Sequence, residues 1–125
     1  MSRKIIAFAF LIFAIFISVF ASFKVHDICT TATEKIEKII ETSETDIESA
    51  KTQAQGIYEY WQKNSNILKL FVGAEDTLNV KLSIYEMIFL LEQENIEDFL
   101  EESAFCKRNL FRIADSAKPS LIKVF

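Results

Sequence analysis

Residues 5–23 read IIAFAFLIFAIFISVFASF, an apolar run without a single charged side chain. Ser18 and Ser22 are its only polar residues. A helix of this length would extend about 28 Å, close to the ~30 Å thickness of the hydrocarbon core of a bilayer. The run therefore predicts that residues 1–23 form a short tail and a transmembrane anchor, followed by one domain in residues 24–125.

The charges around this run predict its orientation. Arg3 and Lys4 precede it, and all 18 acidic residues follow it. Because positive charge beside a span stays on the cytoplasmic side, we expect a single-pass cell-membrane protein with a cytoplasmic N-terminus and an extracytoplasmic domain. The acidic balance of that domain excludes nucleic acid as an expected partner, since nucleic acid binds basic surfaces.

A cleaved signal peptide is the alternative interpretation of the run. Val19 and Ala21 are small residues at the spacing that a signal peptidase accepts, which would make the domain a secreted helical factor. The run is longer than the usual apolar region of about 7–15 residues, and this favours a retained anchor. Both interpretations export the domain.

A row of small residues runs along the anchor at every fourth position: Ala14, Ser18 and Ser22. Such rows let two helix backbones approach closely in lipid, so the row is a candidate for self-association into a homo-oligomer. The alternative is that the small residues are incidental, because rows of this kind are common in single spans.

Beyond the anchor the sequence predicts an all-α domain. Apolar residues recur at spacings of three and four, and strand-like alternation is absent. The predicted helices cover residues 24–42, 46–71, 75–93 and 96–118. No breaker separates the first of them from the anchor, which allows one continuous helix. Short connections force antiparallel neighbours, so the prediction is a transmembrane helix followed by an up-down bundle of three to four helices.

Local signals mark where these helices begin and end. Thr45 followed by Glu48 has the spacing of a capping box, and Asn95 is a suitable N-cap for the last helix. Gly73 provides a stop after the second helix, and Pro119 closes the fourth.

Three internal features predict packing. The third helix carries two apolar stripes, which predicts a central helix that is covered on both sides. Gly56 lies inside the second helix, where it predicts the close approach of a neighbouring helix. Asn64 is the only polar residue in the stripe of that helix, and we expect it to set register or bond a backbone carbonyl. The two stripes of the third helix are Val80-Ile84-Met87-Leu91 and Leu78-Leu82-Tyr85-Phe89.

Residue patterns that carry catalysis are missing from the sequence. His26 is the only histidine, and no metal-ligand spacing, phosphate-binding glycine loop or nucleophile motif occurs. Six acidic residues lie between Glu92 and Glu102, but the glycine-centred loop of a calcium site is absent. We therefore expect no enzyme, no metal site and no cofactor.

The two cysteines leave two alternatives open. Cys29 and Cys106 both lie on apolar stripes of an exported domain, and up-and-down helices bring them to a similar level. They could form a disulfide within the chain or across a dimer. The alternative is two buried thiols that act as small apolar residues.

The expected function is non-catalytic protein interaction at the membrane. Tyr58, Tyr60 and Trp61 form an aromatic cluster that we interpret as core or interface anchors, with another membrane or envelope protein as the partner. A small-molecule sensor domain is the second hypothesis. Because residues 1–4 cannot hold an output domain, such a sensor would signal through a membrane partner.

The order of these features resembles an uncharacterised family of short, single-span proteins of spore-forming Gram-positive bacteria, domain of unknown function 4363. The chain departs from the family pattern at Val72-Gly73-Ala74, where a histidine is common, and at Lys123, where asparagine is usual. The family has no established activity, so the resemblance implies topology and fold but no reaction. The resemblance rests on Trp61-Gln62-Lys63, Ile67-Leu68-Lys69-Leu70-Phe71, Glu75-Asp76, Leu90-Leu91-Glu92 and the closing Pro119-Ser120-Leu121-Ile122-Lys123-Val124-Phe125.

Overall fold

The computed structural model of the chain describes residues 2–117, and this part consists of helices and turns without a strand. The all-α prediction is confirmed. The closing motif of residues 119–125, including Pro119, lies outside the described residues. The helices are α1 (Arg3–Ser43), α2 (Ile47–Lys63), α3 (Ser65–Phe71), α4 (Ala74–Glu92) and α5 (Ile96–Ser116).

Helix α1 joins the apolar run to the folded domain without a break. Its 41 residues extend about 60 Å, and among the described helices it alone is long and apolar enough to cross a membrane. Nearly every side chain of residues 2–20 is exposed, and the first buried one is Ala21. Packing therefore begins where the apolar run ends, and the continuity that the sequence allows is confirmed.

Four helices surround one core in a ring. Helix α1 packs on α2 and α5, and α4 packs on the same two helices, whereas no Cα of α1 lies within 8 Å of a Cα of α4. Each connection is at most three residues long, so chain neighbours run antiparallel. Helix α1 therefore lies diagonally across the bundle from α4. The short helix α3 contacts α1, α2 and α4 at the end of the bundle that is closest to the apolar run.

Trp61 is the largest fully buried side chain in this core. Its indole Nε1 donates a hydrogen bond of 3.0 Å to the backbone carbonyl of Thr77, which ties α2 to the first turn of α4. The rest of the core is aliphatic apart from Phe99, Met87 and two cysteines, and each of α1, α2, α4 and α5 contributes to it. Burial of these side chains is the main stabilising contribution to the domain.

The helix starts follow local hydrogen bonds. Asn95 caps α5 as predicted, because its Oδ1 accepts from the backbone nitrogen of Asp98 at 3.2 Å. The cap of α2 is Asp46 rather than Thr45, so the predicted capping box is wrong by one residue. The hydroxyl of Thr45 bonds back to the preceding helix, whereas both carboxylate oxygens of Asp46 accept from Ser49. These bonds, the side-chain one first, lower the pKa of the Asp46 carboxyl.

The predicted second helix is in fact two helices that meet at Asn64. Its Nδ2 donates to the carbonyl of Tyr60 at 2.9 Å, so the expected bond to a backbone carbonyl is confirmed. The expected unbroken helix is wrong, because an asparagine side chain that bonds the backbone competes with helix propagation. The bend turns α3 back against the bundle, where Leu68 is fully buried.

The predictions for the two glycines have different outcomes. Gly73 has a φ of +112°, a region that only glycine adopts without strain, and it separates α3 from α4 as predicted. The close approach expected at Gly56 is wrong. A Cβ built on Gly56 would have no atom within 4 Å, because this residue lies on the exposed side of α2.

Replacing Trp61 by phenylalanine tests the link between α2 and α4. We expect the Trp61→Phe variant to lose about 1–2 kcal/mol of unfolding free energy, because the buried hydrogen bond and part of the ring volume disappear. Urea unfolding followed by circular dichroism measures the change. The matched control is Tyr60→Phe, which we expect to cost less than half as much, and equal losses would contradict this role of the indole.

Candidate interaction surface

The outer face of α4 exposes four large apolar side chains, which we call the α4 stripe: Leu78, Leu82, Tyr85 and Phe89. They are 49%, 57%, 62% and 53% exposed, whereas the other stripe of α4, Val80-Ile84-Met87-Leu91, is completely buried. The prediction that α4 is central and covered on both sides is therefore wrong. Helix α4 is one of four helices arranged around the core, so the bundle covers only its inner face.

The α4 stripe is a straight seam along the helix. Its members follow spacings of four, three and four residues, which place them on one face of an α-helix. On its α2 side the ring of Tyr85 meets the ring of Tyr58 edge to face, with centroids 5.9 Å apart. This contact fixes one member of the stripe and leaves the rest facing outwards.

Two opposite charges flank the seam. By helical geometry Lys81 lies on one side of the α4 stripe and Glu86 on the other. Among the residues that the structure describes, neither side chain takes part in an ion pair. Acidic Glu75 and Glu92 lie beyond the two ends of the seam on the same face. The surface is thus an apolar line with one basic and one acidic edge.

The predicted aromatic cluster is divided among three environments. Trp61 is in the core, which is one of the two positions expected for it. Tyr58 is half-buried beside the α4 stripe. Tyr60 is half-buried on the α1 side of α2, where the ammonium of Lys35 lies 5.4 Å from its ring centroid. Only Tyr58 contributes to the exposed apolar surface of α4.

The small residues of the apolar run lie at the end of the bundle. Ala14, Ser18 and Ser22 line a hollow of about 560 Å³ together with Phe71 of α3 and Ala117 at the end of α5. The row therefore continues the core-facing side of α1 beyond the bundle. Two copies of α1 that paired through this row would each have to pass under the bundle of the other.

A second concave region lies between α1 and α5. It has a volume of about 360 Å³ and is a candidate small-molecule site for the sensor hypothesis. Its lining is mainly apolar, with Phe111 on one wall and His26, Glu37 and Lys107 among the polar residues. In the described part of the chain, no group of three or more His, Cys, Asp or Glu is arranged to hold a metal ion.

Both cysteines are free and buried in the structure. Cys29 lies on α1 and Cys106 on the adjacent α5. Burial raises the pKa of each thiol to about 12. Because the thiolate is the reactive form, neither sulfur is a nucleophile near neutral pH. Both thiols are free in the structure, as in the two-thiol alternative, and the disulfide stays a prediction.

Alkylation tests the state of the thiols. At pH 8 we expect iodoacetamide to leave Cys29 and Cys106 unmodified in the folded chain, since a raised pKa keeps both protonated far above that pH. Both should react once the unreduced protein is denatured. The exposed control Glu41→Cys should react within minutes. If the denatured, unreduced chain takes up no label at the native cysteines, a disulfide is present and the two-thiol state is wrong.

Comparison with known proteins identifies the family but no activity. Residues 19–124 match DUF4363, a domain of unknown function, so the match begins inside the apolar run and includes the whole bundle. No curated protein and no solved structure matches the chain. The sequence resemblance is confirmed at this level, and the chain belongs to the DUF4363 family.

Proposed function

We propose that this chain is a single-span membrane protein whose extracytoplasmic helical bundle is a protein-interaction module without catalytic activity. The α4 stripe is its docking face, and its partner is another protein of the same membrane or envelope. The exposed position of the α4 stripe, opposite the buried stripe of the same helix, is the observation that supports this proposal most strongly. The organisms that the resemblance implies, spore-forming Gram-positive bacteria, belong to the same proposal.

The anchor part of the proposal is supported by the exposure of the apolar run. Residues 5–20 present large apolar side chains, such as Phe10 and Phe16, on every side of α1, and nearly all of these side chains are exposed in the described part of the chain. A helix that is apolar all round is stable in lipid and unstable in water. Arg3 and Lys4 at its start favour a cytoplasmic N-terminus.

The docking part is supported by the contrast between the two faces of α4. Water-exposed patches of contiguous large apolar side chains are uncommon on monomeric domains and mark interaction sites. The α4 stripe contains four such side chains in a row, including two aromatic rings, which are the residue types enriched where proteins dock. No polar residue interrupts the seam between Leu78 and Phe89.

Ligand sensing is the second candidate, and the groove between α1 and α5 is the feature that favours it. Specific pockets usually direct a few polar groups at the ligand. The polar residues that line this groove, such as His26, Glu37 and Lys107, are the ones that a ligand would contact. Protein docking through α4 has the stronger support, because four large apolar side chains form one continuous exposed row there. Secretion after cleavage near Ala21 would leave the same docking face.

Site-specific photo-crosslinking in intact membranes tests the proposed docking face. A photoreactive phenylalanine analogue replaces Leu82 in the full chain, and the matched control carries it at exposed Glu41 on α1, diagonally across the bundle. We expect a discrete protein adduct from position 82 and none from position 41. Equal adducts from both positions, or no protein adduct from position 82, would contradict docking through α4.

A further inference from the structure

We propose that the occupant of the α4 stripe is the α4 stripe of a second copy of this chain, packed parallel and in register. This inference rests on the proposed function and names the partner of the same surface. It predicts a two-fold dimer whose axis is perpendicular to the membrane.

The spacing of the stripe is that of a two-stranded coiled coil. In heptad letters, Leu78 and Tyr85 occupy d positions, and Leu82 and Phe89 occupy a positions. A row with spacings of four, three and four residues can pack against the identical row of a parallel helix. Each residue then lies opposite the same residue of the other copy. The inner stripe of α4 is already used by the bundle, so the outer seam is free to form this second contact.

The flanking charges fit the same geometry. In this lettering Lys81 is a g position and Glu86 is the following e position. Parallel two-stranded coiled coils pair g of one helix with e of the next heptad on the other, a separation of five residues. Lys81 of each copy would therefore face Glu86 of the other copy, giving two equivalent ion pairs. Neither charge has a competing ion pair within residues 2–117.

Attachment to one membrane favours the parallel arrangement. The bundle part of α1 follows the apolar run in the chain, so α1 points away from the membrane. Helix α4 lies diagonally opposite α1 and runs in the same direction, so it also points away from the membrane. Two anchored copies necessarily present their α4 helices in the same direction. An antiparallel pair would require one bundle to be inverted relative to its anchor.

This dimer keeps the two anchors apart. Because α1 lies across the bundle from α4, the two α1 axes would be separated by two bundle diagonals and one interface, about 35–40 Å with interaxial distances near 10 Å. The row of Ala14, Ser18 and Ser22 therefore has no part in the contact. The proposed dimer is therefore distinct from self-association through the anchor.

The contact is short, so it depends on confinement in the membrane. The seam covers two heptads and ends at Glu75 and Glu92. The carboxylate of each of these residues would repel the same carboxylate of the other copy. A patch of four side chains per copy is smaller than a standard interface of about 800 Å² per partner, so a weak dimer is expected in free solution. A shared bilayer raises the effective concentration of the two copies.

Disulfide trapping of full-length protein in its membrane tests the pairing. Leu78→Cys places a thiol at a d position, and mild oxidation should produce a covalent homodimer. In an antiparallel pair the two thiols would be about 16 Å apart, so only the parallel register gives the product. The controls are the unsubstituted chain, whose native thiols are buried, and Glu41→Cys, which should remain monomeric.

Charge exchange tests the register independently. In the Leu78→Cys background, Lys81→Glu and Glu86→Lys should each reduce the rate of crosslinking about fivefold, because two ion pairs become two repulsions. The double variant K81E/E86K should restore the rate. Ser18→Ile should leave the rate unchanged. Circular dichroism and urea unfolding of each variant verify that the bundle remains folded.

The outcomes separate this inference from the proposed function. No homodimer from Leu78→Cys, together with a protein adduct of another mass from photoreactive position 82, would overturn self-pairing and keep docking through α4. A homodimer that the charge variants do not weaken would overturn the pairing of Lys81 with Glu86 of the other copy. A homodimer that Ser18→Ile abolishes would overturn pairing through α4 in favour of the anchor row. Loss of both crosslinks would overturn the two proposals together.

Discussion

The continuity of α1 constrains the rest of the molecule. One helix passes from an apolar run whose side chains are nearly all exposed into the core of a four-helix bundle, and the change occurs near Ala21. The core-facing side of α1 is therefore fixed relative to the span below it. Because α2 and α5 occupy the two flanks of α1, α4 is placed at the opposite corner of the ring. The orientation of every outer surface follows from this one rigid helix.

A bundle of four helices gives each helix one inner face, and this explains the surface of α4. Helix α4 has two continuous apolar stripes on opposite sides, whereas the exposed large apolar side chains of α5, Leu100, Phe105 and Phe111, do not follow a three-and-four spacing. The buried stripe that begins at Val80 packs in the bundle core, whereas the α4 stripe contacts the bundle through the edge-to-face pair of Tyr85 with Tyr58. A sequence feature that disagrees with the local fold is often a functional one. We interpret the stripe in this way, as a surface formed for a partner.

Much of the architecture could be predicted from spacing and caps. The 3.6-residue period defined the helices, Gly73 and Asn95 defined boundaries, and the absence of a breaker after Phe23 allowed a continuous α1. The cap at Asp46 could not be predicted, because it depends on which of two neighbouring side chains, Thr45 or Asp46, accepts from the backbone. The bond of Asn64 to a carbonyl was expected, but the three-and-four spacing continues through this residue and gave no sign of a break. The sequence showed both stripes of α4 but could not show which one the bundle covers. That choice depends on the order in which the helices are arranged around the core, and local periodicity carries no information about this order.

The proposed topology depends on which side of the membrane each end of α1 lies. Labelling of wall-free cells with a membrane-impermeant maleimide measures this directly, since the native cysteines are buried. The account predicts that Glu41→Cys is labelled on intact cells and that Ser2→Cys is labelled only after permeabilisation. Labelling of Ser2→Cys on intact cells with protection of Glu41→Cys would contradict it.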